Sequence, residues 1–215
     1  RVFGSVVHNP VSRRMIVFAG AGDGGFGILD DVWVLSDADG VGAPAWTRLV
    51  PDAPGGAPGP RDAHVAVYDQ ANNRMIVHGG YTEPGSCGGV VGDAWVLTNA
   101  DGTGGTPTWL ALNPAGTAPA RRYHRAAYDA ANNRMIVDGG TPAGCGSGVN
   151  ETWVLTHANG LGGTPEWVQL ASTAPANFPA DMVEAIYRKF FDLLEPGDTF
   201  VMFEHILFRE ALSAV

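Results

Sequence analysis

Short apolar runs recur along the first 176 residues, apolar on both faces rather than strictly alternating. In the middle of the chain they are His64-Val-Ala-Val-Tyr68, Arg74-Met-Ile-Val-His78, Asp93-Ala-Trp-Val-Leu97 and Trp109-Leu-Ala-Leu112. Runs of this length bounded by turn residues predict strands, and strands without a polar face predict sheets covered on both sides. The turn Asp69-Gln-Ala-Asn-Asn73 joins the first two runs into a hairpin, because Asx residues tolerate the left-handed conformation a tight turn needs. After Gly79-Gly80 comes a long Gly-rich loop, then the third strand, the turn Asn99-Ala-Asp-Gly-Thr-Gly-Gly-Thr-Pro107, and the fourth.

The scheme repeats. Tyr-Asp-x-Ala-Asn-Asn-Arg-Met-Ile-Val-x-Gly-Gly spans Tyr68 to Gly80 and again Tyr128 to Gly140, with a worn copy from His8 to Gly20. Met15, Met75 and Met135 set a period of 60 residues. The later strands recur as Asp31-Val-Trp-Val-Leu35 and Trp46-Thr-Arg-Leu49, and as Glu151-Thr-Trp-Val-Leu155 and Trp167-Val-Gln-Leu170. A repeat unit has no private core and buries its faces against its neighbours, so this length of period predicts a propeller or solenoid. Four-stranded sheets stacked around an axis meet that demand. The fold class expected is all-β: a partial propeller of three four-stranded antiparallel blades at 1–57, 58–117 and 118–176, followed by a short α-helical or α/β tail at 177–215.

All six tryptophans occupy two positions per copy: Trp33, Trp95 and Trp153, and Trp46, Trp109 and Trp167. Indoles at fixed phase predict packing between sheets more than a binding platform. Arg14, Arg74 and Arg134 recur beside the turn, while Asp31, Asp93 and Glu151 recur two residues before the first Trp. Opposite charges at constant phase predict an ion pair or a backbone clamp within or between blades. Gly79, Gly80, Gly139 and Gly140 are assigned structural roles, with Ala19 replacing the first glycine of the pair in copy one.

The order Arg-x-x-His, apolar strand, Gly-Gly, long loop, Trp strand, Gly-rich turn, Trp strand resembles the kelch repeat, and the phrasing around Asn-Arg-Met-Ile-Val is similar to bacterial kelch-type propellers. The resemblance covers residues 1 to 176. Gly4 departs from it where His64 stands, and His124 aligns if one residue of slippage is allowed in the linker. The family implies a ring of about six or seven blades. Three are present, and the chain starts at Arg1, in phase with Arg61, so it reads as a fragment or processed piece. Two bare apolar faces then predict self-association through open blade faces, with pairing to a second copy making six.

The period breaks near Ala180, where counting as from Trp109 to Arg122 places the next repeat arginine. The tail lacks Trp and holds the only lysine, Lys189, and six of the nine phenylalanines. Met182, Val183, Ile186, Tyr187, Phe190, Phe191 and Leu194 fall at helical spacing, predicting a helix from Ala180 to Leu194 ended by Pro196-Gly197. Thr199 to Glu204 reads either as a strand or as a second helix capped by Asp198. From Met182 to His205 the tail weakly resembles a late segment of a class I methyltransferase, with Asp198 in place of the usual second glycine. No methyltransferase activity is inferred. An amphipathic lid over an open face and the stub of another domain are the two readings.

Candidate chemistry is sparse. Gly20-Ala-Gly-Asp-Gly-Gly25 fits a dinucleotide fingerprint, but a strand, not a helix N-terminus, follows it. Ser36-Asp-Ala-Asp-Gly40 opens like a calcium loop without its later ligands. His64 and His124 read as hydrogen-bonded structural residues near a channel, and His205 with Glu204 and Glu210 makes no ligand set. No catalytic residue, metal or cofactor is assigned. Cys87 and Cys145 lie in the same loop of adjacent copies; a disulfide between them and two independent thiols both remain open, the bridge implying an oxidising compartment. Of the whole chain, 45% is hydrophobic and 16% charged, with a net charge of −9 that argues against nucleic acid and anionic membrane as partners. No apolar run reaches the roughly 18 residues of a spanning helix.

The expected function is a non-catalytic recognition scaffold. Its long loops, with Phe26, Tyr81 and Glu83 as binding candidates, present a surface to a protein or carbohydrate ligand. An extracellular or cell-surface setting is expected. The alternative that the resemblance implies is a fragment of a galactose-oxidase-like or other kelch-containing enzyme whose catalytic residues lie in other blades.

Overall fold

A computed structural model of the chain describes residues 1–22, 27–83, 88–144 and 146–171. The predicted tail helix and strand, Phe26, Cys87 and Cys145 lie outside the described residues.

Among the described residues, twelve strands form three antiparallel sheets of four, in the order of the chain. The first holds β1 (Ser5–Asn9), β2 (Arg14–Ala21), β3 (Ile28–Leu35) and β4 (Trp46–Leu49). The second holds β5 (Val65–Asp69), β6 (Arg74–Tyr81), β7 (Val90–Thr98) and β8 (Thr108–Leu112). The third holds β9 (Arg125–Asp129), β10 (Arg134–Asp138), β11 (Thr152–Thr156) and β12 (Glu166–Leu170). The predicted all-β, three-sheet arrangement is observed. Register is identical in the copies, with Met15, Met75 and Met135 opposite Leu35, Leu97 and Leu155.

The strands β2, β3, β6 and β7 extend further than the apolar runs suggest, β3 and β7 starting at Ile28 and Val90. β2 and β6 continue through the glycine pair by a bulge between Phe18 and Gly20 and between His78 and Gly80. At the second glycine a side chain has no room: a Cβ on Gly80, at φ +106°, would lie 2.7 Å from the Asp62 carbonyl oxygen and from His64 Cβ. The first glycine's place tolerates alanine, since Ala19 holds φ 53°. The hairpin turns use the left-handed residues Arg13, Asn73 and Asn133, at φ 58°, 50° and 51°. The apparent calcium loop is the turn at Asp37, φ 48°, matched by Asn99 and His157. The apparent dinucleotide fingerprint leads from β2 into β3, so no helix receives it.

The core lies between sheets, as a repeat without a private core requires. Val7, Ile16, Phe18, Val32 and Val34 of the first sheet pack on Met75, Val77, Leu97, Ala100 and Trp109 of the second. Val67, Ile76, Ala94 and Val96 of the second pack on Met135, Val137, Leu155, Ala158 and Trp167 of the third. The middle sheet is thus covered on both faces, and its β6 is buried from Met75 to Tyr81. Trp109 and Trp167 sit in these junctions, whereas Trp46, the equivalent residue of the first sheet, is 53% exposed. Linkers tie the sheets further: Asp52 pairs in parallel with Thr108, and Ala115 with Glu166.

Candidate functional site

Each innermost strand is preceded by a non-glycine residue forced into the left-handed region: Phe3, Ala63 and Tyr123, at φ 55°, 50° and 56°. Such conformations cost about 1–3 kcal/mol each and persist where surrounding structure fixes them. Here the fixing is a hydrogen-bond chain running from sheet to sheet. The Ala63 amide donates to the Phe3 carbonyl and the Tyr123 amide to the Ala63 carbonyl, both at 2.9 Å. Gly20 and Gly80 amides donate likewise to the Arg61 and Arg121 carbonyls of the following copy. The chain draws equivalent points of the three sheets together, and the small side chain of Ala63 lets Phe3 and Tyr123 meet edge to face at 5.7 Å.

Both rings reach solvent, Phe3 at 52% and Tyr123 at 43% exposure. Beside them the Arg122 guanidinium lies 5.0 Å from the Tyr81 ring centre and 5.5 Å from that of Tyr123. Stacking of this kind holds a cation in place while leaving its edge available. Asp62 occupies the position equivalent to Arg122, since Asp62 pairs with Tyr81 as Arg122 pairs with Thr141. Burial raises the Asp62 carboxyl above its usual range, opposed by the Arg122 charge. Two aromatic rings, a stacked guanidinium and a carboxylate therefore converge on one rim.

Of the loop residues expected to bind, Tyr81 is buried at 7% and serves as the floor under Arg122. Glu83 is exposed at the root of the second long loop, which Thr82 and Gly89 pin at 2.9 Å. Sequence reasoning missed Phe3, Asp62, Arg122 and Tyr123. A signal existed: these positions change from copy to copy while the arginine and strand flanking them stay constant.

The phased charges are resolved into two separate devices. Arg14 and Arg74 clamp backbone of the next sheet, donating to the Asp101 and Asn159 carbonyls at 2.9 and 2.8 Å. The phased acids pair with different arginines. Arg61 Nη1 and Nη2 each donate to Asp93 at 2.8 Å, while Asp93 also accepts the Trp95 indole N–H at 2.6 Å. Burial pushes the Asp93 carboxyl up, but Arg61 and the indole outweigh it and hold it low. Arg1 with Asp31 and Trp33, and Arg121 with Glu151 and Trp153, repeat the arrangement. The third copy's repeat arginine is therefore Arg121 rather than Arg122, and no slippage separates His64 from His124.

The histidines are junction residues. His64 meets the Ser5 hydroxyl at 2.8 Å, and His78 Nδ1 meets His124 Nε2 at 3.1 Å. Burial lowers His64 to about 3 and His124 to about 4, each helped by its neighbouring arginine, Arg61 and Arg121 respectively. His78, fully enclosed and beside His124, is driven well below its ordinary value.

Among the described residues no group of three or more His, Cys, Asp or Glu is placed to hold a metal ion. A depression of about 410 Å³ on the third sheet is lined by Asn150, Glu151, Gln169, Leu170 and Ala171. Its one carboxylate is already engaged by Arg121.

A family model described as the KLHDC2/KLHL20/DRC7 Kelch-repeats domain matches residues 5–189. The chain belongs to the kelch-repeat family. Its three sheets are blades of a kelch-type propeller, and kelch repeats generally serve in protein interactions. No curated protein matches the chain. The family match lends no support to the methyltransferase resemblance of the tail. Among the described residues no helix is long and apolar enough to cross a membrane.

Proposed function

We propose that this kelch chain is a non-catalytic recognition scaffold whose binding surface is the rim formed by Phe3, Asp62, Arg122 and Tyr123. One observation carries the reading: two strained, half-exposed aromatic residues meet there beside a cation stacked on tyrosine rings. Aromatic residues and arginine are the side chains that dominate protein interfaces, because they bury large area at low entropic cost and bond directionally. The fold supplies rigidity through the inter-blade hydrogen-bond chain, so little ordering is needed on binding. The ligand suited to the site is an extended protein segment that lays an apolar side chain against Phe3 and Tyr123 and a carboxylate against Arg122.

Selection of a displayed peptide library on the full chain tests this. Enriched peptides carrying an acidic residue next to an apolar one, competing with one another for a single site, are expected. Enrichment that survives unchanged on an Arg122→Ser, Tyr123→Ser chain would place binding elsewhere.

A further inference from the structure

The two blade junctions contain a buried polar pair that reads as a matching rule. In the first, Asn9 of blade 1 donates through Nδ2 to Asp101 Oδ2 of blade 2 at 2.9 Å. In the second the roles are exchanged: Asn159 Nδ2 of blade 3 donates to Asp69 Oδ2 of blade 2 at 2.6 Å. All four residues are at most 5% exposed. Asn9 and Asp69 occupy the same position of the repeat, as do Asp101 and Asn159. One side of each junction is therefore an amide and the other a carboxylate, in either order.

Local contacts explain why only unlike pairs fit. The Oδ1 atoms of Asn9 and Asp69 each accept amides of their own turn, from Val11 and from Ala71; the second atom faces the next blade, and in Asp69 this Oδ2 also accepts Asn72 Nδ2 at 2.7 Å. On the other side, Asn73 Nδ2 donates to Asp101 Oδ1 and Asn133 Nδ2 to Asn159 Oδ1, both at 2.6 Å, again leaving one atom. A buried carboxylate facing a carboxylate would lack a proton to share and would repel.

We propose that this pair decides which blade docks on which, and that the face of blade 3 not covered by another described sheet is built to take a further kelch blade carrying asparagine at the Asp101/Asn159 position. Asp129 stands on that face where Asn9 and Asp69 stand in the junctions, with its carboxylate held by Asn132 at 2.7 Å. Arg134, equivalent to the clamps Arg14 and Arg74, is exposed there, as are Val168 and Leu170. The occupant is thus defined by continuity with the two existing junctions and by donor–acceptor complementarity to Asp129. Blade 1 of a second copy does not satisfy the rule. It would present Asp39, which lies 3.7 Å from the Arg13 guanidinium and is a carboxylate rather than an amide.

Two measurements on the full chain decide the matter. In the first, Asn159→Asp opposes two carboxylates across the second junction and lowers Tm by several degrees at neutral pH, and adding Asp69→Asn recreates the first junction's pair and restores at least half of the loss. A single variant as stable as the parent, or a double variant no better than the single, overturns the rule. In the second, sedimentation compares the parent with Asp39→Asn, which gives a second copy the amide that Asp129 requires. Head-to-tail association at least tenfold tighter in the variant is expected. Equal association of the two proteins, including a parent that already dimerises as tightly, overturns the assignment of the open face.

Discussion

The two junctions of this chain share a backbone and differ in chemistry. Between blades 1 and 2, Phe18 fills the space against Trp109 and His64, with ring centres 5.0 and 5.2 Å away. Between blades 2 and 3 the equivalent residue is His78, stacked 4.7 Å from Trp167 and 5.1 Å from His124. The first junction buries a hydrocarbon where the second buries an imidazole that must stay neutral. Identical register therefore does not imply identical response: the first junction holds one buried imidazole, His64, and the second holds two, His78 and His124, so acid bears more heavily on the second.

Removing the junction indoles should produce the largest effect. Trp109→Ala and Trp167→Ala are each expected to cost about 3–5 kcal/mol in denaturant unfolding, as for large core aromatics. Trp46→Ala, at the same repeat position but exposed, should cost about 0.5 kcal/mol or less. Equal losses at all three would mean that Trp46 is covered in solution.

The arginines paired with the phased acids sharpen the contrast between copies of one device. Arg61 is 2% exposed and also donates to the Gly79 carbonyl at 2.8 Å, so Arg61→Met strands a carboxylate and a carbonyl. Asp93 is itself 38% exposed and keeps the Trp95 indole, so a loss of about 1–3 kcal/mol is expected, chiefly from the stranded carbonyl. Arg1→Met removes the same pairing where the arginine is 25% exposed and no backbone carbonyl is stranded, and should cost at most about 1 kcal/mol by the same assay.

Acid should separate the junctions. The unfolded chain takes up protons on these histidines near pH 6.5, while folded His64 and His124 resist until about 3 and 4, and His78 resists as well. The unfolded state binds more protons in that interval, so the stabilisation is complete above pH 6.5 and drains as pH falls toward 4, by about 1.4 kcal/mol per pH unit for each imidazole. His78→Phe, which copies blade 1, should flatten the slope of stability against pH. A slope unchanged by the substitution would mean that His78 is already accessible to protons in the fold.

The smallest effect concerns backbone. Gly80→Ala should cost more than about 1 kcal/mol, because φ is positive and the new Cβ would meet the Asp62 carbonyl oxygen. Gly55→Ala, with nothing within 4 Å of its Cβ, should be near neutral in a thermal melt.

Much of this was legible in sequence because repetition filters noise. Strands, hairpin turns and the junction role of Trp109 and Trp167 all follow from phase, since a side chain that returns every 60 residues meets the same neighbour each time. Partner choice among the phased charges was not legible. Arg14 and Arg61 both recur, and only the fold, which sets Arg61 Nη1 2.8 Å from Asp93, decides that Asp93 meets Arg61. The rim was hidden for the opposite reason. Phe3, Ala63 and Tyr123 share a backbone conformation but not a residue type, so a search for constancy passes over them. The reciprocal exchange of Asn9 with Asp69, and of Asp101 with Asn159, was readable as covariation between copies, but only once the register showed which positions face each other.

If the rim recognises a ligand while the junctions hold the fold, binding and stability must separate in a rim variant. The most direct test pairs affinity for a selected peptide with Tm in one variant, Arg122→Ser, Tyr123→Ser. Binding weakened at least tenfold, with Tm shifted by no more than a few degrees, is expected. Undiminished binding, or binding lost only together with the fold, would contradict that separation.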